Sequence, residues 1–150
     1  MSVELTADSS KRTSFMDDTE LIQAAITEAR QNAYAPYSGF RVGAALLCED
    51  GRVFLGANVE NAVYGLTMCA ERVAVANAVT AGCRSFEALA VVADGPTPCP
   101  VCGACRQVLA EFGPETRIIM ANIAGEVKKA KLKDLLPTAF TNEQLFNEKR

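Results

Sequence analysis

The sequence predicts an α/β fold of three layers, αβα, around a mixed five-stranded sheet. Three observations carry that expectation. After an initial helix, strand-like and helix-like segments alternate along the chain. The first two strand-like segments are separated only by Glu49-Asp50-Gly51, a hairpin turn in which glycine tolerates positive φ. The run Ala88-Leu89-Ala90-Val91-Val92-Ala93 has no polar alternation, the pattern of a strand covered on both faces. Helical crossovers between the later strands then make the sheet partly parallel.

The elements follow in order. Residues 1–14 are rich in Ser, Thr and charge without periodicity and are expected to form a flexible leader, leaving 15–150 as one domain. Asp17 or Asp18 caps a first helix running to about Ala33, with Leu21, Ile22, Ala25, Ile26 and Ala29 as its apolar stripe. Tyr34-Ala35-Pro36-Tyr37-Ser38-Gly39 breaks it into a loop. Strands are expected over 41–48 and 52–58, then a loop over 58–68 and a helix over 69–81 stopped by Gly82. The strand 86–93 leads into a Pro-rich loop, 94–101. A helix over 103–112, ended by Gly113-Pro114, precedes strands over 117–121 and 125–130. A helical turn over 132–136 stops before Pro137, and the chain from Thr141 is weakly helical.

Composition narrows the classes of function. At 150 residues, folding can remove roughly two-thirds of the unfolded surface from water, so disulfides are not required for a core. A net charge of −3 gives no general attraction to nucleic-acid phosphates or anionic lipid. No apolar run approaches the roughly 20 residues of a transmembrane helix, and the N-terminus has no apolar signal-like stretch, so a cytoplasmic location is expected. There the six cysteines stay reduced, and metal binding or catalysis outranks a disulfide framework. Cys48 and Cys83 read as small buried hydrophobes without a role. The lysines at 128, 129, 131 and 133 read as a solvated strand end and helix face.

Chemistry concentrates in Cys69-Ala70-Glu71 and Cys102-Gly103-Ala104-Cys105, in a chain without histidine. Thiolates are strong zinc ligands, and a Cys-x-x-Cys turn at a helix start aims two sulfurs at one point, aided by the helix dipole. Cys69 also stands at a helix start. Three protein ligands leave a fourth position for water, the mark of a catalytic rather than a structural zinc. Glu71 is the proton shuttle. Its spacing from Cys69 is awkward, since positions i and i+2 lie about 200° apart around a helix. Three thiolates also leave excess negative charge, which hydrogen bonds from Arg72, or failing it Arg106, would offset. The competing reading is a closed structural zinc site with Cys99 as fourth thiolate and no catalysis.

Cys69-Ala70-Glu71 followed by Cys102-Gly103-Ala104-Cys105-Arg106-Gln107 resembles the three-cysteine variant of the zinc deaminase signature. Ala35-Pro36-Tyr37-Ser38, Phe40-Arg41-Val42-Gly43-Ala44, Asn58-Val59-Glu60-Asn61-Ala62 and Leu135-Leu136-Pro137 extend the match over about 34–140. Together they resemble the small, homotetrameric, zinc-dependent cytidine deaminase family. The pattern departs from the family at Val101, where proline is usual, with Pro100 one residue earlier and Cys99 an added thiol.

The resemblance implies a cytidine-deaminase-like fold with Zn²⁺ on Cys69, Cys102 and Cys105, and Glu71 as acid/base. It implies Phe40 packed on the pyrimidine, Asn58 and Glu60 on the ribose hydroxyls, and the Ala70 backbone on the base. Tyr64 and Phe140 would reach neighbouring active sites of a homotetramer. Without the resemblance, Phe40, Tyr64 and Phe140 would read as core, and Asn58 and Glu60 as ordinary loop residues. The implied reaction is hydrolysis of cytidine and deoxycytidine to uridine and deoxyuridine with release of ammonia, in pyrimidine salvage. A carboxylate on the ribose would repel a 5′-phosphate, favouring nucleosides over nucleotides. Another aminopyrimidine nucleoside, such as a nucleoside antibiotic, is the alternative substrate. A nucleic-acid substrate is disfavoured by the net charge and by an expectation of few exposed aromatics.

Overall fold

The computed structural model describes residues 16–146; the leader expected over 1–14 lies outside the described residues. Five strands form one mixed sheet: β1 (Val42–Cys48), β2 (Val53–Ala57), β3 (Phe86–Ala93), β4 (Arg117–Asn122) and β5 (Val127–Lys131), in the order β2-β1-β3-β4-β5. β1 is antiparallel to β2 and β3, β3 is parallel to β4, and β4 is antiparallel to β5. The hairpin turn closes where expected, with Gly51 at φ +88 and its N–H donating to Cys48 O at 3.0 Å.

Side-chain alternation splits the core into two layers. Ala44, Leu46, Leu89, Val91, Ile118 and Met120 face α2 (Ala70–Thr80), α3 (Gly103–Ala110) and α4 (Leu132–Leu135). Ala45, Leu47, Ala88, Ala90, Val92 and Ile119 face the first helix, through Leu21, Ala24 and Ala25. This is the αβα sandwich expected, and the apolar run 88–93 of β3 is buried on both sides. Among the described residues, no helix is long and apolar enough to cross a membrane.

The first helix differs from expectation. Its α-helical part, α1, spans only Asp18–Ala24, with Asp17 and Glu20 completing a capping box. It continues as a π turn (Ala25–Ala29) and a 3₁₀ turn (Arg30–Asn32). The cause is tertiary. Here β1 runs against the helix backbone, and a Cβ on Gly43 would sit 2.1 Å from Ala25 O and 2.5 Å from Arg30 N. Glycine permits that approach, and apolar periodicity cannot reveal it.

A second difference concerns the cysteines. Cys48 and Cys83 are buried, as expected, but they are joined in a disulfide across 35 residues, not held as two thiols. The α2–β3 turn brings Cys83 beside the end of β1, with the two Cα atoms 6.6 Å apart. Only that juxtaposition makes the bond possible. Asp50 lies beside the pair, but sulfurs bonded to each other offer no thiolates to a metal.

Three of the four lysines pair with acids of the same chain. Lys129 and Arg117 bind Asp18 at 2.8 and 2.7 Å, and Lys131 and Lys133 bind Glu115 at 2.9 and 2.7 Å. At such exposure these pairs contribute little to stability. They tie α1 to the β4–β5 edge and leave the run a solvated face.

Candidate metal centre and active site

Two helix starts meet at the C-terminal end of β3. The α2 helix begins just after Cys69, and α3 begins just after Cys102, so each cysteine occupies the N-cap position. Cys69 has extended backbone (φ −68, ψ 149), so its side chain is not bound to the helix cylinder. That resolves the 200° difficulty: Glu71 projects from the first turn while Cys69 lies before it. Cys105 is in the first turn of α3 and fully buried.

The Sγ atoms of Cys69 and Cys102 are 3.9 Å apart and those of Cys102 and Cys105 are 3.3 Å apart; all three lie within 4.8 Å of one another. A tetrahedral zinc with Zn–S bonds of about 2.3 Å needs sulfurs about 3.8 Å apart. Three thiols at this spacing, at two positive helix ends, fit that ion. Cys99 is outside the cluster. Its N–H donates to Ala121 O at 3.1 Å, pinning it to the end of β4. Burial, with the negative charge of Glu71, pushes its thiol up to about 11.

Among the described residues, Arg72 is the cation that acts on the cluster. A hydrogen bond from the Cys105 thiol, with further bonds from Arg72 and Cys102, holds Cys69 down to about 5, while the same contact pushes Cys105 up. Arg72 also donates to Thr67 O at 2.9 Å, which ties it to the loop before α2. Burial opposes its charge, but the sulfurs of Cys69, Cys105 and Cys102 together outweigh this and raise its pKa. Arg106, the other candidate, points elsewhere: its guanidinium donates to Val101 O and Leu135 O, both at 2.8 Å.

A cavity of about 270 Å³ opens on the cluster, lined by Cys69, Ala70, Glu71, Cys99, Pro100 and Cys102 at one end and by Ser38, Phe40, Asn58 and Glu60 among others. Glu71 is only 5% exposed. Burial pushes its carboxyl up to about 7, and the Cys69 charge adds to the shift. The group can therefore both take and give a proton near neutral pH.

The other sequence-predicted residues divide. Phe40 lies on the cavity with a half-exposed ring, and Ala70 is fully buried at the first position of α2. Asn58 is buried and already engaged: its Oδ1 accepts from Val42 N at 2.8 Å, and its Nδ2 donates to Phe40 O at 2.8 Å. It thereby fixes the backbone that carries Phe40. Glu60 accepts from Tyr37 N at 2.8 Å, Ser38 N at 3.2 Å and the Ser38 hydroxyl. The Ser38 bond leads in holding its carboxyl below the usual range, so it stays ionised. Sequence reasoning assigned no role to Ser38; its partner is 22 residues away and no local pattern joins them.

Tyr64 and Phe140 line none of the metal-end cavity. Tyr64 is 75% exposed and borders an adjoining cavity with Tyr37, Ser38, Glu60 and Thr67. Its ring meets Tyr37 edge-on at 5.8 Å. Phe140 is 57% exposed. The expectation of few exposed aromatics is corrected: Tyr34, Tyr37, Phe40, Tyr64, Phe140 and Phe146 are all exposed. Placement of an aromatic on the surface depends on what the fold leaves uncovered, which residue type alone does not reveal.

A sheet that brings two helix starts onto a three-thiol cluster, with a buried, proton-competent glutamate in the adjoining cavity, defines a zinc-dependent hydrolase. Residues 16–121 match the family model described as the cytidine and deoxycytidylate deaminase zinc-binding region. The chain is 53% identical over 131 residues to a cytidine deaminase of Halalkalibacterium halodurans, covering 87% of this chain and 98% of that one. It is 50% identical over 129 residues to one from Sporosarcina psychrophila, covering 85% and 95%. The crystal structure of cytidine deaminase from Burkholderia pseudomallei superimposes with a TM-score of 0.80 at 52% identity, over 83% of this chain and 100% of that one. The chain therefore belongs to the cytidine and deoxycytidylate deaminase zinc-binding family.

Proposed function

We propose that the protein hydrolyses cytidine and deoxycytidine to uridine and deoxyuridine with release of ammonia. The observation that carries this is Glu71, buried in a nucleoside-sized cavity beside three converging thiols. The relatives named above support the same substrate class.

Cys69, Cys102 and Cys105 would hold the zinc, which when bound would make hydroxide accessible from water at neutral pH. Glu71 takes the proton from the attacking water and delivers it to N3 of the base as C4 is attacked. It then carries the second proton to the departing amino group, which leaves as ammonia. Arg72 offsets the third thiolate. Phe40 packs on the pyrimidine and the Ala70 backbone holds its edge, while Asn58 and Glu60 meet the ribose. Asn58 retains a second N–H and a lone pair beyond the bonds it makes within the chain. The ionised Glu60 disfavours a 5′-phosphate, so nucleosides are preferred to nucleotides. The exposed Tyr64 and Phe140 reach neighbouring sites in a cytoplasmic homotetramer, where covering them removes apolar surface from water.

The test is ammonia release from cytidine by zinc-replete protein. Turnover confined to another aminopyrimidine nucleoside would reassign the substrate, and no turnover of any would overturn the reading. Cys99→Ser separates catalytic from structural zinc. We expect zinc content near one per chain, as in the unsubstituted protein, and kcat within about twofold, because a buried thiol-to-hydroxyl change outside the ligand set perturbs only local packing. Loss of zinc in that variant would favour the four-thiolate site.

A further inference from the structure

The helix that carries Cys105 also grips the chain segment that carries Phe140. Gln107, one turn into α3, turns its amide onto the backbone of Phe140. Its Nε2 donates to Phe140 O at 2.8 Å, and its Oε1 accepts from Phe140 N at 3.1 Å. A primary amide used in this way satisfies both backbone polar groups of one residue, 33 positions away. On the far side, Thr141 N and its hydroxyl donate to Gln144 Oε1 at 2.6 and 2.8 Å. On the near side, Arg106 binds Leu135 O at 2.8 Å. The segment between α4 and the 3₁₀ turn at Asn142–Gln144 has no regular hydrogen-bonded structure of its own, so these side chains set its path.

Fixing the backbone of a phenylalanine that is left 57% exposed is an unusual arrangement for a structural residue. A core residue would be held by packing of the ring. Here polar contacts hold the main chain and the ring projects outward. At an exposed site water would satisfy the same N–H and C=O, so two such bonds contribute conformational order more than net stability. Order of this kind matters when a side chain must meet something beyond its own chain, because the ordering cost is then met before binding.

The geometry points to Gln107 as a positioning residue that presents Phe140 to the nucleoside. This rests on the proposed reading of Phe140 as a residue that reaches a neighbouring subunit's active site, and deepens it by having the ring cover the nucleoside there. Gln107 acts through Phe140 and touches neither zinc nor substrate. The coupling also links two sites: α3 supplies a zinc ligand to its own chain's site at Cys105 and, two residues later, supports the aromatic ring offered to a neighbouring one.

Steady-state kinetics with cytidine tests this. Gln107→Ala is expected to raise KM about tenfold, the loss of two ordering hydrogen bonds, with kcat, zinc content and thermal midpoint close to those of the unsubstituted protein. Phe140→Ala should raise KM at least as much, and the double variant should match Phe140→Ala alone, since the two residues act as one unit. Gln107→Asn, too short by one methylene to make both bonds, should reproduce the rise in KM and replaces Gln107→Ala if that variant does not fold. An unchanged KM in the Gln107 variants, with a raised KM in Phe140→Ala, overturns the positioning role and leaves the reading of Phe140 standing. An unchanged KM in Phe140→Ala overturns both. Additive effects in the double variant, or zinc loss with unchanged KM, would make Gln107 only a support of α3 and overturn the proposal.

Discussion

Glu71→Gln should keep its zinc and lose about 10⁴-fold in kcat for cytidine, the upper range for removing a positioned acid/base. The substitution preserves size and hydrogen-bonding shape, so the buried site and the three sulfurs stay in place. What disappears is the proton relay. Among the described residues, the only other carboxylate lining the cavity is Glu60, which is committed to Tyr37 and Ser38. The raised pKa of Glu71 sets the sign of a pH effect as well. Its carboxyl prefers the proton up to about 7, so the form that accepts a proton from water is depleted as pH falls below that value. Ammonia release at saturating cytidine, with zinc measured on the same sample, checks the prediction. Retained turnover in the zinc-loaded variant would remove Glu71 from the mechanism.

Gly56→Ala should be severely damaging although it lies outside the site. A Cβ there would lie 2.1 Å from Ala70 O, 2.4 Å from Ala74 N and 3.0 Å from Ala74 Cβ. The first two are backbone atoms of a packed helix and cannot rotate away, so α2 must move off β2. Overpacking of this kind costs about 3 kcal/mol or more, which lowers the thermal midpoint by roughly 10 °C in a chain of this size. The effect reaches the site because Ala70 stands between Cys69 and Glu71. Lifting the start of α2 draws both away from Cys102 and Cys105, so zinc affinity and turnover should fall with stability. Gly65→Ala is the control: nothing lies within 4 Å of its Cβ position, and its thermal midpoint should not change. An unchanged midpoint in Gly56→Ala would refute the close packing of α2 on β2.

Neither Gly56 nor Gly43 is distinguished in the sequence, since each sits in an apolar stretch that reads simply as strand. Their importance arises from helices packed against the sheet with backbone in contact. The same distinction separates Arg72 from Arg106. Both follow a cysteine at a helix start, yet one faces the sulfurs and the other spans to Leu135. Asn58 shows a third form of it. A loop asparagine is legible, but its clamp on Phe40 and Val42 depends on chain segments 16 to 18 residues away.

What the sequence determined by itself was whatever depends on near neighbours or on ordered motifs. Hairpin, helix caps, strand periods and the Cys-x-x-Cys turn are set within a few residues by backbone sterics and local hydrogen bonds, and the family resemblance follows from short peptides in order. The tertiary structure alone decided which thiols meet. Cys69 joins Cys102 and Cys105 because two helix starts converge at the end of the central strand, and Cys99, three residues before Cys102, is held aside by β4. Cys48 and Cys83 meet because a turn after α2 returns to the end of β1. Convergence of distant side chains is a property of packing, and the energies that enforce it come from the apolar layers on both faces of the sheet rather than from the residues that meet.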